Sequence, residues 1–198
     1  KGHRVLFTAN KEDFGKFLLD ITFTSANKGK VPGDGKWKIG DGYYGAAVLI
    51  PYGHVKGKIA HNSDTLEVQG YGYLEHTWQS GNPTDLAERA FNVSEATRGA
   101  YAGRLALDED GVPFGYLIEK KGDKSNVLLP KSILENGKPY KGSKFPKTAL
   151  QITWQNAADT LTLDMSKPRQ KFSMLENFDG WLAKKATKVM LGGEIFFW

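Results

Sequence analysis

The chain has 198 residues, 40% of them hydrophobic and 25% charged, and its 27 Lys and Arg against 22 Asp and Glu give a net charge of +5. This length and composition fit one generous domain, or one domain plus a piece of another, and argue against disorder. The absence of Cys excludes disulfides, thiolate nucleophiles and iron–sulfur clusters. No run of eighteen apolar residues occurs, so we expect no integral membrane segment.

The two ends of the sequence predict that the chain is a piece of a longer protein. It begins at Lys1 rather than at a Met, and residues 192–198 end inside a strand-like pattern. We therefore expect any targeting segment to lie outside this chain. The absence of Cys does not fix the compartment, and an extracytoplasmic one is the location that we favour. The oligomeric state is left open.

Alternation of apolar and polar residues predicts short strands along most of the chain. In chain order these strands cover residues 3–9, 17–25, 45–51, 55–61, 65–79, 100–107, 113–121, 125–130, 149–156 and 160–165. Residues 86–93 fit either a strand or one helix, and residues 174–191 are the one clear helix. About ten strands with one late helix are typical of an antiparallel β-barrel or β-sandwich.

The longest alternating segment, residues 65–79, carries the candidate site. One face of it is apolar or small and is predicted to point inward: Leu66, Val68, Gly70, Gly72, Leu74, His76 and Trp78. Glu75 is then predicted to point outward, away from His76. Gly70 and Gly72 would leave room for a ligand where side chains normally fill a barrel. An inward His76 beside Trp78 is a candidate proton donor or anchor for an apolar ligand, and a hydrogen-bonded core histidine is the alternative.

Three later residues are candidates for the same interior. If residues 86–93 form a strand with Phe91 inward, Arg89 points inward too and needs a carboxylate or an anionic ligand as its partner. Tyr101 shares a predicted strand face with Gly103 and two leucines.

Other motifs give little support for a cofactor, a metal or nucleic acid. The run Gly40-Asp41-Gly42-Tyr43-Tyr44-Gly45 matches a dinucleotide fingerprint, but only five residues separate it from Pro51, too few for a crossover helix. The four His residues lack metal-ligand spacing, so we expect neither a cofactor nor a metal. Residues 136–147 are rich in Lys and are predicted to form a solvated loop, with a nucleic-acid surface as the alternative.

The segment 68–78 resembles the signature of a lipocalin-like superfamily. That superfamily includes the carotenoid hydratases (hydroxyneurosporene synthases), the AttH-like bacterial proteins and the fungal survival-factor proteins. Its pattern is close to G-x-G-Y-x-x-H-x-W, preceded by a strand of the type P-x-x-x-V-x-G, which residues 51–57 match. Residues 81–83 and 87–92 resemble the survival-factor version, so the resemblance covers about residues 20–92.

The resemblance implies two consecutive lipocalin-like (calycin-type) β-barrels that hold a lipophilic molecule. Residues 1–61 would be the last strands of a truncated first barrel, and residues 62–198 a second barrel with the late helix. The family's His and Trp correspond to His76 and Trp78. Hydratase-like members also carry Tyr-x-Asp on a neighbouring strand, whereas Tyr101-Ala102-Gly103 keeps the Tyr and lacks the Asp.

The sequence therefore predicts a protein that binds a hydrophobic small molecule, such as a lipid, a terpenoid or a polyene. The predicted binding residues are Gly70, Gly72, Leu74, Trp78, Arg89 and Phe91. The alternative is a hydratase, cyclase or isomerase in which His76 is the general acid and Tyr101 its partner. We expect no nucleic-acid partner, and a peripheral contact with a membrane is left open. An interaction module that uses the basic loop 136–147 is the third hypothesis.

Overall fold

A computed structural model describes residues 2–13, 15–94, 101–121, 124–142 and 146–165, together with 172–173, 181, 185 and 196–197 near the C-terminus. This part of the chain is built almost entirely of antiparallel strands. They are β1 (Gly2–Lys11), β2 (Gly15–Thr24), β3 (Lys36–Ile39), β4 (Gly42–His61), β5 (Asp64–Ser80), β6 (Arg89–Ser94), β7 (Tyr101–Leu107), β8 (Pro113–Lys121), β9 (Lys124–Leu128), β10 (Pro130–Glu135), β11 (Lys138–Pro139), β12 (Leu150–Trp154), β13 (Leu161–Leu163), β14 (Phe172–Ser173) and β15 (Phe196–Phe197). One short helix, α1 (Pro83–Leu86), separates β5 from β6.

The strands pair into three larger sheets and one two-stranded pair. Sheet A has the order β1-β2-β4-β3, and β5 also pairs with β4 along the length of both strands. Sheet B is β6-β7-β8-β9, sheet C is β11-β10-β12-β13, and β14 pairs with β15. The predicted all-β class is confirmed. Within the described residues none of these sheets closes into a barrel, so the lipocalin-like barrel stays a prediction.

The core lies on both sides of sheet B. One face of sheet B packs against sheet C through a buried cluster: Phe91, Leu105, Leu107, Leu117, Leu128, Ile133, Tyr140, Leu150, Ile152 and Trp154. The other face packs against β3, β4 and β5 through Ala106, Phe114, Tyr116 and Ile118. Because β8 is buried on both faces, its sequence is a nearly continuous apolar run rather than an alternating one.

β4 differs from its predicted form. The sequence predicts two strands on either side of a turn at Tyr52 and Gly53, whereas β4 is one strand of 20 residues. Its pairing with β5 shifts register between Val48 and Ile50 and again between Ile50 and Gly53. Each shift inserts an extra residue in β4, so the strand bends without ending.

Sheet A has two distinct halves. The half made of β3, the start of β4 and the end of β5 packs against sheet B. The other half consists of β1, β2, the end of β4 and the start of β5, and we call it the single-layered half because most of its residues are exposed or half-buried. It leaves Leu6, Phe7 and Leu66 more than half exposed.

Several other expectations can be compared with the structure. The strands β3, β10, β11 and β14 were not predicted, and β11 lies within the segment 136–147 that was expected to be a loop. Residues 86–93 contain the end of α1 followed by β6. Of the predicted helix 174–191 only residues 181 and 185 are described, both helical, and the rest lies outside the described residues. The predicted division at residues 61 and 62 falls in the β4–β5 turn and stays a prediction. No helix in the described part of the chain has the length and hydropathy needed to cross a membrane.

Candidate functional site

One side of the single-layered half of sheet A is apolar across all four strands. Residues directly opposite one another in antiparallel strands project to the same face, and alternate residues share it. Of three rows of partners, the first is entirely hydrophobic, the second is hydrophobic except for one Gly, and the third has two hydrophobic residues beside a His and a Gly: Phe7–Leu19–Ile59–Leu66, Val5–Ile21–Gly57–Val68 and His3–Phe23–Val55–Gly70. We call these three rows the apolar face. Phe7 is 53% exposed and Leu66 63%, Phe23 is buried, and the other hydrophobic side chains of this face are half-buried.

The reverse side of the same strands is mostly charged and polar. The rows between those of the apolar face are Arg4–Thr22–Lys56–Gln69 and Leu6–Asp20–Lys58–Glu67. Arg4 donates two hydrogen bonds to the carboxylate of Asp20, at 2.7 and 2.8 Å. These bonds lower the pKa of Asp20 below its usual value. The contrast between the two sides gives this sheet one face suited to water and one suited to apolar contacts.

The two glycines of β5 have different roles. A Cβ atom on Gly70 would have no neighbour within 4 Å, so this position is open, as the sequence predicts. A Cβ atom on Gly72 would lie 2.6 Å from both Phe23 and Val55, whose side chains fill that space. The expectation that Gly72 leaves room for a ligand is therefore wrong. Leu74 is half-buried opposite Ile50.

His76 and Trp78 lie on the side of β5 that also carries Leu66, Val68 and Gly70. Both register shifts put the extra residue in β4, so the alternation of β5 is uninterrupted and its even residues share one side. The two rings stack with centroids 5.5 Å apart, and the indole of Trp78 lies over Gly45 on the neighbouring strand. His76 is exposed and Trp78 is 37% exposed. The sequence predicts an enclosed interior position for both side chains, whereas in the structure both are exposed.

Glu75 lies on the reverse side of β5, against sheet B. Its Oε2 accepts hydrogen bonds from the hydroxyl of Tyr73, at 2.6 Å, and from the hydroxyl of Tyr116. Its Oε1 lies 2.6 Å from Nε of Arg104, and the Glu75 side chain is only 13% exposed. Glu75 thus points away from His76 as predicted, but the prediction that it faces solvent is wrong. Donors from three side chains compensate the burial of the carboxylate, which allows a polar strand face to pack.

Glu75 and the side chains around it, Tyr44, Tyr73, Arg104 and Tyr116, form what we call the Glu75 cluster. Burial keeps the three tyrosines of this cluster protonated. It raises the pKa of Tyr44 to about 12. Burial, with hydrogen bonds to the Glu75 carboxylate as the next cause, also raises the pKa of Tyr73 and Tyr116 far above the usual range. The Tyr44 hydroxyl is buried near Arg104 and Thr77, but no hydrogen bond of good geometry forms. Because its oxygens already accept from three side chains, the Glu75 carboxylate is suited to joining the two sheets rather than to abstracting a proton.

The remaining predicted site residues lie elsewhere. Phe91 is buried in the core between sheets B and C, with its ring centroid 6.2 Å from that of Tyr140. Arg89 donates from Nε to the backbone oxygen of Gly142 at 3.0 Å, so a carbonyl group takes the place of the predicted carboxylate. The backbone of Tyr101 begins β7 opposite Glu119, and its side chain lies outside the described residues. Arg89 and Phe91 are thus not brought together with His76 and Trp78.

The basic loop contributes a shallow cavity of about 440 Å³. Glu135, Asn136, Lys138, Pro139, Tyr140, Lys141 and Gly142 line it. Residues 143–145 of this loop lie outside the described residues. In the described part of the chain, no group of three or more His, Asp or Glu side chains is placed to hold a metal ion. The interaction-module hypothesis stays a prediction.

A signal for the Glu75 cluster was present in the sequence. Arg104 is the one charged residue in the otherwise uncharged segment 101–107, and Tyr116 carries the one hydroxyl in the apolar run 114–118. A polar group in such a strand needs a buried partner. Neither feature says that the partner is Glu75, some thirty to forty residues earlier in the chain.

Comparisons of the chain with models of protein families, with curated proteins and with solved structures give no match. The resemblance to the lipocalin-like superfamily therefore depends only on the sequence motifs at residues 51–57, 68–78, 81–83 and 87–92. It stays a prediction.

Proposed function

We propose that this chain binds a hydrophobic small molecule, a lipid, terpenoid or polyene, on the apolar face of sheet A. The observation that carries the proposal is the exposure of Phe7 and Leu66 within a hydrophobic surface that crosses four strands. Covering one such side chain contributes about 1.5–3 kcal/mol. Contiguous exposed apolar surface of this kind is typical of binding sites rather than of ordinary protein surface.

Three further features support a small elongated ligand. Gly70 provides an open position within the apolar face. Leu74, His76 and Trp78 extend the same side of β5 beyond that face. The one-sided alternation over neighbouring antiparallel strands is also what the wall of a lipocalin-like barrel requires. We propose that the apolar face is part of the inner wall of such a barrel.

Binding of retinol, a neutral polyene alcohol, tests this proposal. Retinol fluorescence rises in an apolar site, and titration of the purified chain should give saturable binding. The variant Gly70→Phe fills the open position and should weaken binding by about tenfold or more, equivalent to 1.4 kcal/mol. Gln69→Phe adds the same ring on the reverse side of the strand and should change the affinity less than about twofold. Lack of saturable binding, or equal effects of the two variants, would overturn the proposal.

One observation favours acid catalysis as a second candidate function. The imidazole of His76 is exposed and stacked on Trp78, on the side of β5 that continues the apolar face. An imidazolium there could protonate a bound polyene, while the indole stabilises the resulting cation. His76→Gln should then keep retinol binding and abolish hydration, cyclisation or isomerisation of a polyene. Undiminished turnover in that variant would exclude this function.

A further inference from the structure

The side of sheet A that carries the apolar face becomes cationic and aromatic where β3 joins it. Lys36 is opposite Gly45, which is opposite Trp78, and these three form one row across β3, β4 and β5. Lys38, Tyr43 and Ser80 form the row at the next position on the same side. We call these two rows, together with His76, the cationic end.

The aromatic rings of Trp78 and Tyr43 lie among the residues of the cationic end. Gly45 has no side chain, and the Trp78 indole occupies the space where one would project. The ring therefore extends across β4 towards the row position of Lys36. The ammonium group of Lys36 lies 3.6 Å from the centroid of the Tyr43 ring, which positions its charge by a cation–π contact.

The two lysines of the cationic end are open to solvent. Lys36 and Lys38 are both exposed, and within the described residues neither has a carboxylate partner. The rows of the apolar face and of the cationic end contain no Asp or Glu. Asp64, in the row beyond Phe7 and Leu66, lies at the opposite end of this side of the sheet. Two cations thus lie at one end of a hydrophobic surface.

We infer that the ligand is a free fatty acid, with its carboxylate at Lys36 and Lys38 and its hydrocarbon tail extending over Trp78 and Leu74 towards the apolar face. The inference rests on the proposed function and names the chemical class of its ligand. Ammonium groups form charge-assisted hydrogen bonds with a carboxylate, and the adjoining apolar side chains take up the chain. Segments that bind anionic membrane surfaces typically carry clusters of about four to eight Lys and Arg, whereas this end of the sheet has two lysines and Asp64 lies at the other end.

Two ligands with the same tail test the inference. Hexadecanoic acid and hexadecanol, each below the concentration at which it aggregates, are made to compete with bound retinol. We expect the acid to bind about tenfold more tightly than the alcohol, and added salt to reduce this preference. The double variant Lys36→Gln/Lys38→Gln should lose the preference and still bind the alcohol. The double variant Lys56→Gln/Lys58→Gln, on the reverse side of sheet A, is the matched control and should keep it.

Each alternative result has a distinct meaning. If the acid and the alcohol bind equally well to the unaltered chain, the inference fails and the proposed function stands. If retinol and both ligands fail to bind, the inference and the proposed function fail together. If the chain sediments with vesicles of phosphatidylcholine and phosphatidylglycerol while the acid does not displace retinol, the anionic partner is a membrane surface and the inference is overturned.

Discussion

The two halves of β5 have the same alternation of side chains but opposite surroundings. In the first half the odd residues Glu67, Gln69 and Tyr71 are exposed, and the even residues belong to the apolar face. In the second half the odd residues pack against sheet B around Glu75, while His76 and Trp78 on the even side are exposed. The strand is continuous, so the difference comes from sheet B, which covers only one half. Polar residues are therefore buried in one half of β5 and hydrophobic residues exposed in the other.

The largest difference between the two regions is expected from matched leucine truncations. Leu105 in sheet B is fully buried, and Leu105→Ala should lower the free energy of unfolding by about 2–5 kcal/mol because it leaves a cavity. Leu66→Ala, on the apolar face, should change it by less than about 0.5 kcal/mol. Urea unfolding measures both. A comparable loss in the two variants would mean that the apolar face is covered in solution.

The next difference concerns two glutamates on the same side of β5. Glu75→Ala leaves Arg104 and two tyrosine hydroxyls without their acceptor, so we expect a loss of about 1–3 kcal/mol in unfolding free energy. Glu67→Ala removes an exposed side chain and should cost less than about 0.5 kcal/mol. Equal losses in urea unfolding would contradict the environment described for Glu75.

A smaller difference is expected between the two glycines of β5. Gly72→Ala places a methyl group 2.6 Å from Phe23 and Val55, so it should destabilise the fold by about 1 kcal/mol as these side chains shift. Gly70→Ala meets nothing within 4 Å and should be neutral or stabilise by less than about 1 kcal/mol. Thermal unfolding of both variants gives the comparison, and a reversed order would show that the apolar face packs differently.

The last comparison concerns the pH dependence of the unfolding free energy that comes from the buried tyrosines. We expect this effect to be small at neutral pH and to be clear only in alkali. The folded state holds the pKa of Tyr44 near 12 and raises those of Tyr73 and Tyr116, so the unfolded chain loses these protons first as pH rises. Their contribution to stability is complete below about pH 10 and falls as pH rises beyond it. Phenolate absorbance should show a late-titrating fraction that Tyr116→Phe reduces. Ionisation of every tyrosine in one step near pH 10 would contradict the packing of this cluster.

Most strands were predictable because alternation is a local property. The segments predicted at 65–79 and 100–107 correspond closely to β5 and β7, and the predicted neighbours His76 and Trp78 do stack. The segment predicted at 113–121 corresponds to β8, although it is a nearly continuous apolar run. The bulges of β4 were not predictable, because an inserted residue interrupts the alternation of side chains in the same way as the end of a strand does. The different surroundings of Gly70 and Gly72 depend on Phe23, some fifty residues earlier, which no local pattern contains.

The sequence by itself determined that the chain is all-β, where most strands lie, and which residues of β5 share a side. The alternation of apolar and polar residues indicates the strands, and backbone geometry then fixes which residues share a side, because successive side chains in any strand project to opposite faces. Only the tertiary structure decided that Glu75 is enclosed by Tyr73, Tyr116 and Arg104, and that Phe7 and Leu66 remain open. Burial depends on which sheet stacks on which face, and this stacking is set by contacts between residues far apart in the chain.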